Sequence, residues 1–431
     1  MSTKREPVGE GTLTERRLTI IAIVNHFGHW LGIGLTVPIL AIFQLDRGAS
    51  LSQVGLNGLV YAGTVVALEV PTGGLSDAIG RRAVYLVSLV VSMVAFATLV
   101  IAQSTLALVA GFALVGTARA LSSGSMDAYF IDAFGELPSA GELQRFLGRV
   151  GVFVPLSLAL GGLAGGMIPV WADRVLPQGG VFDRYSLVFL VVCAVYAAQF
   201  VLTCVLIERD SPRVSNGSGA KGLLSFTTVL HESMRIGVAD RRVLRLLLGS
   251  VVWGVAFAGL EQFWQPFVDG FTVEESPTQV FGFLTMGYFM VGSLGAISAN
   301  RLFRLIGPRY GTVVGTLRIV MGSLFVVLSF TTGIWGFAAA YLGLFFLNGI
   351  TNSPEQSMFN ALIPAKSRST LLSFQSLFLQ LGGGAAALVW GIVSDNLSIG
   401  FSWRVAGVFF GLSSLLYFHT AKPPEAEAPS F

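Results

Sequence analysis

The sequence predicts an all-α membrane protein whose twelve transmembrane helices form two six-helix bundles. Of its 431 residues, 53% are hydrophobic and only 12% are charged, whereas soluble domains carry about 25% charged residues. The apolar residues fall in blocks of about 20, the length that crosses the hydrocarbon core of a bilayer. A third observation, the repetition of landmark residues at a nearly constant offset, divides these blocks into two halves.

Short polar breaks separate the twelve apolar blocks. We place the predicted spans 1 to 12 at residues 18–43, 54–76, 83–103, 106–131, 150–170, 185–207, 244–268, 279–302, 311–331, 334–360, 370–394 and 402–419. The first 17 residues are polar and charged, and the first block is too long for the apolar part of a cleavable signal peptide. We therefore expect a multi-pass protein of the cell membrane, which in a bacterium is the inner (plasma) membrane.

Lysine and arginine are distributed unevenly over the polar breaks, and this sets the predicted orientation. Two of the 27 basic residues lie within spans, and four lie on the side opposite the termini, at Arg47, Arg174, Arg184 and Arg404. The other 21 lie on the side of the termini. Because cytoplasmic segments are enriched in lysine and arginine, we expect both termini in the cytoplasm, and we call this end of the bundle the inner end.

The longest polar break lies between spans 6 and 7 and divides the chain into segments. We predict a cytoplasmic N-terminal segment at 1–17, a six-helix bundle at 18–207, a cytoplasmic linker at 208–243, a second six-helix bundle at 244–419 and a cytoplasmic tail at 420–431. The linker opens with the Gly- and Ser-rich composition of a flexible connection. Apolar residues at helical spacing over 223–238 predict an amphipathic helix on the inner membrane surface.

The two halves align with each other at a nearly constant offset. The aligned pairs are Pro38 and Pro266, Arg82 and Arg309, Asp127 and Glu355, and Asp132 and Asn360, at offsets of 227 or 228 residues. Parallel repeats of this kind are known in secondary transporters built from two six-helix halves. We therefore interpret the chain as a duplicated six-helix unit.

The break between spans 2 and 3 carries the most specific motif, which reads Gly-Gly-Leu-Ser-Asp-Ala-Ile-Gly-Arg-Arg from Gly73 to Arg82. An acid at Asp77 can accept hydrogen bonds from the first backbone N–H groups of the next helix. The order and spacing of the motif resemble the signature between the second and third helices of the major facilitator superfamily, and the likeness covers about residues 17 to 420. It implies a transporter whose two bundles rock around a central site.

The resemblance also implies a cytoplasmic gate. We expect it to contain Gly73, Asp77, Gly80, Arg81, Arg82 and Asp132. In this gate Asp132 of span 4 receives Arg81, and the contacts reach the start of span 11. The second copy of the motif carries Arg304 where the first carries the acid, so the gate is expected on one side only. Neutralising Asp77 should then disturb the conformational balance more than changing Arg304.

Span 1 carries the first polar residues that are unexpected in a membrane, at Asn25, His26 and His29. Ionisable side chains inside a span are costly and point to function by default. Each histidine is either a neutral side chain satisfied by a neighbour or a contact for substrate or protons, since histidine titrates near neutral pH.

Spans 2 and 4 place opposite charges at similar depth. Glu69 and Arg119 lie about 24 Å and about 20 Å from the outer ends of their spans by helical rise. The pair is either a structural ion pair or a proton-coupled one in which Glu69 takes up a proton and releases Arg119. Exporters of the superfamily place an arginine in their fourth helix, although here the glycine that follows it, Gly124, comes one place late. Asp127 either joins the network of Asp132 or faces the cavity.

The second half carries its own polar residues in spans 7, 9, 10 and 11. In span 7, Glu261 faces either the outer gate or the cavity, and we favour the cavity. Span 10 contains Asn348, Asn352, Glu355 and Gln356 around Pro354, and span 11 places Gln380 on a polar face with Ser369, Ser373 and Ser376. Broken helices with polar residues commonly mark transport sites. We interpret Arg318 in span 9 as structural, with a side chain that can reach the inner surface.

Span 5 is rich in glycine, at Gly161, Gly162, Gly165 and Gly166. Proton-driven exporters of the superfamily have a glycine-rich fifth helix, usually with a Gly-Pro step that is absent from this sequence. Close helix packing through small residues four apart explains the same pattern equally well.

These observations favour a proton-coupled exporter (antiporter) of small amphipathic or drug-like compounds, resembling the twelve-helix drug:proton antiporters. One alternative is a proton symporter that imports a small metabolite, whose cavity would hold more fixed hydrogen-bonding groups. Another is a membrane sensor or scaffold without transport. The expected partners are a small-molecule substrate, protons and membrane lipid, and the expected state is a monomer.

Other classes are disfavoured. We expect no enzyme activity, because no nucleophile–base pair stands out, and no G-x-x-x-x-G-K-[ST] loop for ATP occurs. The four histidines and two cysteines suggest neither a metal site nor a cofactor, and a net charge of +3 does not suggest nucleic-acid binding. Cys193 and Cys204 lie about 16 Å apart along one predicted helix, so they cannot pair with each other.

Overall fold

The computed structural model describes residues 14–137, 142–175, 182–210, 240–271, 278–306, 310–363 and 368–418. The regular secondary structure of these residues is entirely helical. Twelve segments are long and apolar enough to cross a membrane. The predicted fold class is therefore confirmed, and the span numbers used above are kept below.

The first half contains spans 1 to 6. Their helices are Glu15–Thr36 and Leu40–Asp46 (span 1), Leu51–Ile79 (span 2), Arg81–Ile101 (span 3), Thr105–Ser122 and Ser125–Gly135 (span 4), Leu143–Gly151 and Phe153–Val175 (span 5), and Arg184–Leu206 (span 6). Side-chain oxygens of Thr14, Ser50, Ser104 and Asp183 accept hydrogen bonds from the first turns of spans 1, 2, 4 and 6. Such caps satisfy N–H groups that have no acceptor within the helix.

The second half contains spans 7 to 12. Their helices are Arg241–Asp269 (span 7), Thr278–Ile306 (span 8), Tyr310–Leu328 (span 9), Ile334–Leu362 (span 10), Arg368–Asn396 (span 11), and Ile399–Leu412 followed by Leu415–Phe418 (span 12). Pro266 and Pro354 lie inside continuous helices. By contrast, the helix of span 1 ends at Thr36 and resumes at Leu40, with Pro38 in the interruption.

Span 4 is also interrupted, at Ser123 and Gly124. Gly124 has a φ of 70°, in the left-handed region that glycine enters without steric cost. A new helix starts at Ser125, and no side chain caps it. The expected span 4, at residues 106–131, therefore consists of two helices.

Gly80 alone connects spans 2 and 3. Its φ of 94° turns the chain between a helix that ends at Ile79 and one that begins at Arg81. The break expected between spans 2 and 3, at residues 77–82, is therefore reduced to one residue, because the chain is helical on both sides of Gly80. Gly73 lies within span 2 with open space beside it, so it does not serve close packing. The side chain of Asp77 lies outside the described part of the chain.

Aromatic side chains fill the middle of each half. In the second half, the ring of Phe257 lies 5.3 Å from that of Phe325 and 5.7 Å from that of Phe410. In the first half, the ring of Phe189 lies 4.8 Å from that of Phe43. These edge-to-face contacts join spans 7, 9 and 12 on one side and spans 1 and 6 on the other, so each half has its own core.

The two halves meet at the outer end, where spans 2 and 11 are in contact. The carboxylate of Asp395 in span 11 accepts hydrogen bonds from the backbone N–H groups of Leu51, at 3.0 Å, and Ser52, at 2.8 Å. These groups belong to the first turn of span 2, whose N–H groups lack acceptors within the helix. A side chain of one half therefore caps a helix of the other.

Two glutamines of span 7 extend this outer contact. The Nε2 atom of Gln262 donates to the carbonyl oxygen of Val54 at 3.1 Å, and that of Gln265 donates to Val37 at 2.8 Å. Like the bonds of Asp395, they join the two halves. The contact is therefore closed at the outer end.

The glycines of span 5 pack against two neighbours. Gly161 and Gly165 face span 1, while Gly162 and Gly166 face span 8 in the other half. A Cβ atom at Gly161 would lie 2.6 Å from the carbonyl oxygen of Leu31, too close for a real contact. Close packing thus accounts for all four glycines, both within the first half and across the two halves.

The halves separate toward the inner end. Asp127, Glu261 and Asn352 are exposed although each lies within a span. The hydrogen bonds of Asp395, Gln262 and Gln265 that join the halves all lie at the outer end. The arrangement is that of a two-bundle protein open toward its inner end. The predicted amphipathic helix at 223–238 lies outside the described residues.

Candidate functional site

A polar cavity of about 360 Å³ lies between spans 7, 10 and 11 of the second half. Most of its lining residues carry amide or hydroxyl groups. They are Ser250, Asn348, Thr351, Asn352, Gln356, Gln375 and Ser376, together with Trp253, Glu355, Leu372 and Leu379. A cavity of this size and chemistry fits a small organic molecule that makes several hydrogen bonds.

Two hydrogen bonds fix the orientation of the polar lining. The indole N–H of Trp253 donates to Oδ1 of Asn348 at 2.7 Å, and Nε2 of Gln375 donates to Oγ of Ser250 at 2.7 Å. The ring of Trp253 also stacks on Phe257 at 4.7 Å. These bonds leave the amide NH₂ of Asn348 and the amide oxygen of Gln375 to interact with a ligand.

All four predicted residues of span 10 lie in this lining, while Gln380 of span 11 does not. Asn352 and Gln356 are exposed to the cavity, and Asn348 is half-buried. Gln380 lies one helical turn beyond Ser376, outside the lining. The side chains of Ser369 and Ser373 lie outside the described part of the chain.

Glu355 is held by a buried arginine of span 9. The Arg318 guanidinium donates to both carboxylate oxygens, at 3.1 and 3.2 Å. It also donates to Ser413 Oγ at 2.9 Å and to the carbonyl oxygen of Gly249 at 3.1 Å. Arg318 is completely buried, so its structural role is supported, but its side chain does not reach the inner surface. The guanidinium stays inside the bundle because its carboxylate partner, Glu355, lies there.

A second polar cavity, of about 100 Å³, lies in the first half. Its walls come from spans 1, 3 and 4. They are formed by Asn25, His26, His29, Trp30, Tyr85, Arg119, Ser122, Ser123, Gly124, Met126 and Asp127. We call it the first-half cavity. Five of the predicted candidates, Asn25, His26, His29, Arg119 and Asp127, are brought together there.

His26 connects span 1 with span 4. Its Nδ1 atom lies 2.8 Å from the carbonyl oxygen of Ala22, and its Nε2 atom lies 2.7 Å from Oδ1 of Asp127. A carbonyl oxygen only accepts, so Nδ1 carries a proton. The contact between Nε2 and the carboxylate needs a second proton between them. The pair as seen therefore holds one proton more than a neutral histidine beside an ionised aspartate.

His29 and Asn25 are tied to spans 3 and 6. Gln199 donates to the hydroxyl oxygen of Tyr85 at 3.4 Å and to the carbonyl oxygen of Asn25 at 3.1 Å. The hydroxyl of Tyr85 lies 3.3 Å from Nδ1 of His29. If this hydroxyl accepts from Gln199 and donates to His29, the imidazole proton lies on Nε2. Asn25 also bonds Thr203, which makes it part of the packing between spans 1 and 6.

Arg119 does not pair with Glu69. Its guanidinium lies over the ring of Trp30 at 5.6 Å and interacts with the hydroxyl of Tyr61. No carboxylate lies within ion-pair distance of it among the described residues. The reason is the helical face: Glu69 lies seven residues, about two turns, after Ala62, and Ala62 faces span 11 at Gly384.

Glu69 and Glu261 therefore both face the boundary between the halves. On span 7, the neighbours of Glu261 at one and four positions further, Gln262 and Gln265, bond backbone atoms of the first half. Glu261 itself is exposed and interacts electrostatically with Tyr288. Glu261 lines none of the three cavities given for this structure, so its place in a cavity stays a prediction.

The Arg81–Asp132 contact expected for the cytoplasmic gate is present as a hydrogen-bonded ion pair. Arg82 donates to the carbonyl oxygen of Cys204 in span 6 at 2.9 Å. The helix-capping role that we gave to Asp77 is filled by Asp210. Its carboxylate accepts from the backbone N–H groups of Arg81 and Arg82, at 2.5 and 3.2 Å.

Several site residues were missed in the sequence analysis. Trp253 and Gln375 line the larger cavity, Tyr61 and Tyr85 contact the polar side chains of the first-half cavity, and Asp210 caps span 3. Tyrosine and tryptophan are common in membrane spans, so their type alone gave no signal. Asp210 lies 128 residues after Arg82 in the chain, and only the fold brings them together.

No group of His, Cys, Asp and Glu side chains able to hold a metal ion occurs among the described residues. Cys193 and Cys204 are both unpaired thiols. The chemistry of the two cavities therefore depends on hydrogen bonds, one half-buried arginine and the pair of His26 and Asp127.

Comparison of the sequence identifies one protein family, and comparison of the structure identifies proteins of similar fold. Residues 21–354 match the sequence profile of the Major Facilitator Superfamily. The uncharacterized MFS-type transporter YxaM of Bacillus subtilis (strain 168) is 22% identical over 397 residues, which cover 90% of this chain and 92% of that protein.

Two solved structures have a similar fold at low identity. A mutant of the nucleoside transporter NupG matches with a TM-score of 0.73 at 12% identity, covering 94% of this chain and all of that one. A bacterial homologue of the human lysosomal transporter Spinster, in an inward-facing and occupied conformation, matches with a TM-score of 0.72 at 14% identity, covering 97% and 100%.

Proposed function

This chain belongs to the Major Facilitator Superfamily, and on that premise we propose that it couples the movement of a small polar molecule to protons by alternating access. In this proposal an ion gradient supplies the driving force. The proposal also includes the earlier expectations of a monomer in the bacterial inner membrane with cytoplasmic termini.

The contact between His26 and Asp127 carries the proposal of proton coupling. The pair holds a proton that no other contact requires, and it joins spans 1 and 4 beside an open cavity. Removal of that proton would leave two acceptors, the imidazole lone pair and the carboxylate, facing each other at 2.7 Å. That geometry is repulsive, so proton release would separate the two spans.

Other groups surround this pair. The titratable and charged side chains of the elements packed against it are His29 on span 1, Tyr85 on span 3, Arg119 on span 4, Tyr196 on span 6, and the pair of Glu15 and Arg149 at the inner ends of spans 1 and 5. Arg119 is the one cation among them that lines the cavity without a carboxylate partner in the described structure. Its charge favours a pair that keeps Asp127 ionised.

The larger cavity supports a polar cargo. Its amide and hydroxyl groups are the fixed hydrogen-bonding groups expected of a metabolite transporter, whereas a drug exporter would offer a more apolar surface. Glu355 is paired with Arg318, so among the acids within spans the proton carriers favoured here are Asp127, Glu69 and Glu261. The substrate is either imported together with protons or exported in exchange for them, and a transport experiment decides between these directions.

Export of amphipathic compounds remains the second candidate, and one cavity favours it. A pocket of about 180 Å³ between spans 1, 4 and 5 has a mainly apolar wall that includes Trp30, Phe130, Phe146 and Val150, with His26 and Asp127 at its polar edge. An apolar surface beside a titratable pair is what exchange of a drug for a proton requires.

A proteoliposome experiment tests the proposal. Vesicles containing the purified protein and a pH-sensitive dye receive nucleosides, sugars, organic acids or amphipathic cations, and proton flux is recorded under an imposed pH gradient. Uptake along the proton flow indicates symport, and movement against it indicates antiport. If no compound in any class moves protons or accumulates, proton-coupled transport is refuted.

Variants make the test specific. Asp127→Asn should abolish gradient-driven accumulation while preserving exchange of labelled for unlabelled substrate, because exchange needs no net proton movement. Glu142→Gln, at an exposed acid outside the cavities, is the matched control. Glu69→Gln should likewise abolish gradient-driven transport without loss of expression, and wild-type rates would remove Glu69 from the mechanism.

A further inference from the structure

We infer that the first-half cavity binds an anionic group of the cargo, a carboxylate or phosphate, through Arg119. The inference rests on the proposed transport function and adds the charge of the substrate to it. Arg119 is the feature that requires explanation. A guanidinium inside a span is costly unless an anion or other strong acceptor compensates it.

The other arginine buried within a span is compensated by protein. Arg318 has a bidentate carboxylate partner in Glu355, a carbonyl oxygen and a hydroxyl. Arg119 has a tyrosine hydroxyl and the face of Trp30; the carboxylate of Asp127 in the same cavity acts on it only through space, and no carboxylate lies within ion-pair distance among the described residues. Both arginines lie inside spans, but only Arg318 has a carboxylate bonded to it. The guanidinium of Arg119 can therefore still bind an anion from outside the protein.

The surroundings of Arg119 supply further donors. Ser123 lines the same cavity, and Nε2–H of His29 is available if its Nδ1 atom accepts from Tyr85. The helix that starts at Ser125 adds backbone N–H groups without acceptors within the helix, since no side chain caps it. An anionic oxygen beside Arg119 would therefore meet several donors.

The volume fits a small charged group. A space of about 100 Å³ holds about three water molecules at about 30 Å³ each, which is comparable to a carboxylate or phosphate. The rest of such a cargo would extend to the larger cavity, whose amides and hydroxyls suit uncharged polar groups. A cationic compound would face the Arg119 charge directly, so the geometry disfavours cationic drugs.

Asp127 gives the site a link to protons. It lines the same cavity, and its negative charge opposes an anion unless His26 holds the shared proton. Binding of the anion and of the proton therefore favour each other by the reciprocity of linked equilibria. Cargo and proton would then travel in the same direction.

A binding experiment tests the anion site without requiring transport. The full-length purified protein in lipid nanodiscs is titrated with benzoate and acetate, and with the isosteric neutral amides benzamide and acetamide. Trp30 lies 5.6 Å from the Arg119 guanidinium, so its fluorescence reports binding, and Trp30→Phe identifies its share of the signal. We expect saturable binding of the anions and at least about tenfold weaker binding of the amides.

The variants assign the site. Arg119→Gln should weaken benzoate binding at least about tenfold, Arg119→Lys should retain a preference for anions, and Arg145→Gln, at an exposed arginine, should leave binding unchanged. Size-exclusion profiles and benzamide titration check that each variant is folded.

Three results would overturn the inference: equal binding of benzoate and benzamide, unchanged benzoate binding in Arg119→Gln, or no anion-dependent signal in the wild type. Proton-coupled transport of a neutral compound together with any of them refutes the anion site alone. Anion binding without any proton flux supports the site and counts against the proposed transport.

Discussion

One carboxylate contributes two hydrogen bonds to the outer closure, and removing it should shift the protein toward an outward-open state. Asp395 caps the first turn of span 2 from the opposite half through two backbone N–H groups. Loss of a helix cap costs about 0.5–2 kcal/mol, and the exposed position of Asp395 places its value near the middle of this range. About 1 kcal/mol corresponds to an approximately fivefold change in the ratio of the two conformations.

Distance measurements by electron paramagnetic resonance can detect this shift. Spin labels at Gln103→Cys and Thr332→Cys lie on exposed loops at the outer ends of the two halves. Cys193 and Cys204 are first replaced by alanine so that only the new thiols are labelled. In Asp395→Ala the fraction of molecules with a long distance between the labels should rise about fivefold.

The adjacent residue supplies the control. Asn396 is equally exposed, but its amide bonds the carbonyl oxygen of Ile392 in its own helix, not the other half. Asn396→Ala should therefore preserve the wild-type distance distribution. If Asp395→Ala and Asn396→Ala give the same distribution, the carboxylate does not hold the outer closure and the reasoning is refuted.

Three further changes test other contacts. Glu355→Gln leaves the buried Arg318 without its carboxylate, so the free energy of unfolding should fall by about 3–5 kcal/mol; a melting temperature within error of the wild type in detergent would contradict this. Gly162→Val places a branched side chain against Thr285 of the other half. The spin labels at the outer end should then report a larger fraction of molecules with a long distance. An unchanged distance distribution would show that the contact accommodates the larger side chain. Asp210→Ala removes the cap of span 3 and should cost about 0.5–2 kcal/mol of stability, measured by thermal unfolding, with equal stability as the opposing result.

The twelve spans and their division into halves could be predicted because bilayer thickness imposes a simple length rule on the chain. The breaks within spans were harder. Pro38 interrupts span 1, yet Pro266, its repeat partner, lies inside a continuous helix. One proline can be accommodated by neighbouring contacts, and the local sequence does not reveal which. The glycine break at Gly124 was likewise visible as a residue but not as the start of a new helix.

The polar residues of the site could be predicted by type, but their partners could not. Similar depth suggested that Glu69 and Arg119 pair, whereas the helical face of span 2 turns Glu69 toward span 11. Glu355 and Arg318 were treated separately, although they form a bidentate ion pair. Depth along a span follows from the helical rise, but the direction of a side chain depends on helix rotation and packing, which require the fold.

The cap on span 3 has a mechanical consequence. Asp210 is the last described residue before the segment that connects the two halves, and it is bonded directly to the backbone at Arg81 and Arg82. Arg81 in turn forms an ion pair with Asp132 of span 4, and Gly80 is the one residue between spans 2 and 3. A displacement of Asp210 would therefore act on spans 2, 3 and 4 at once.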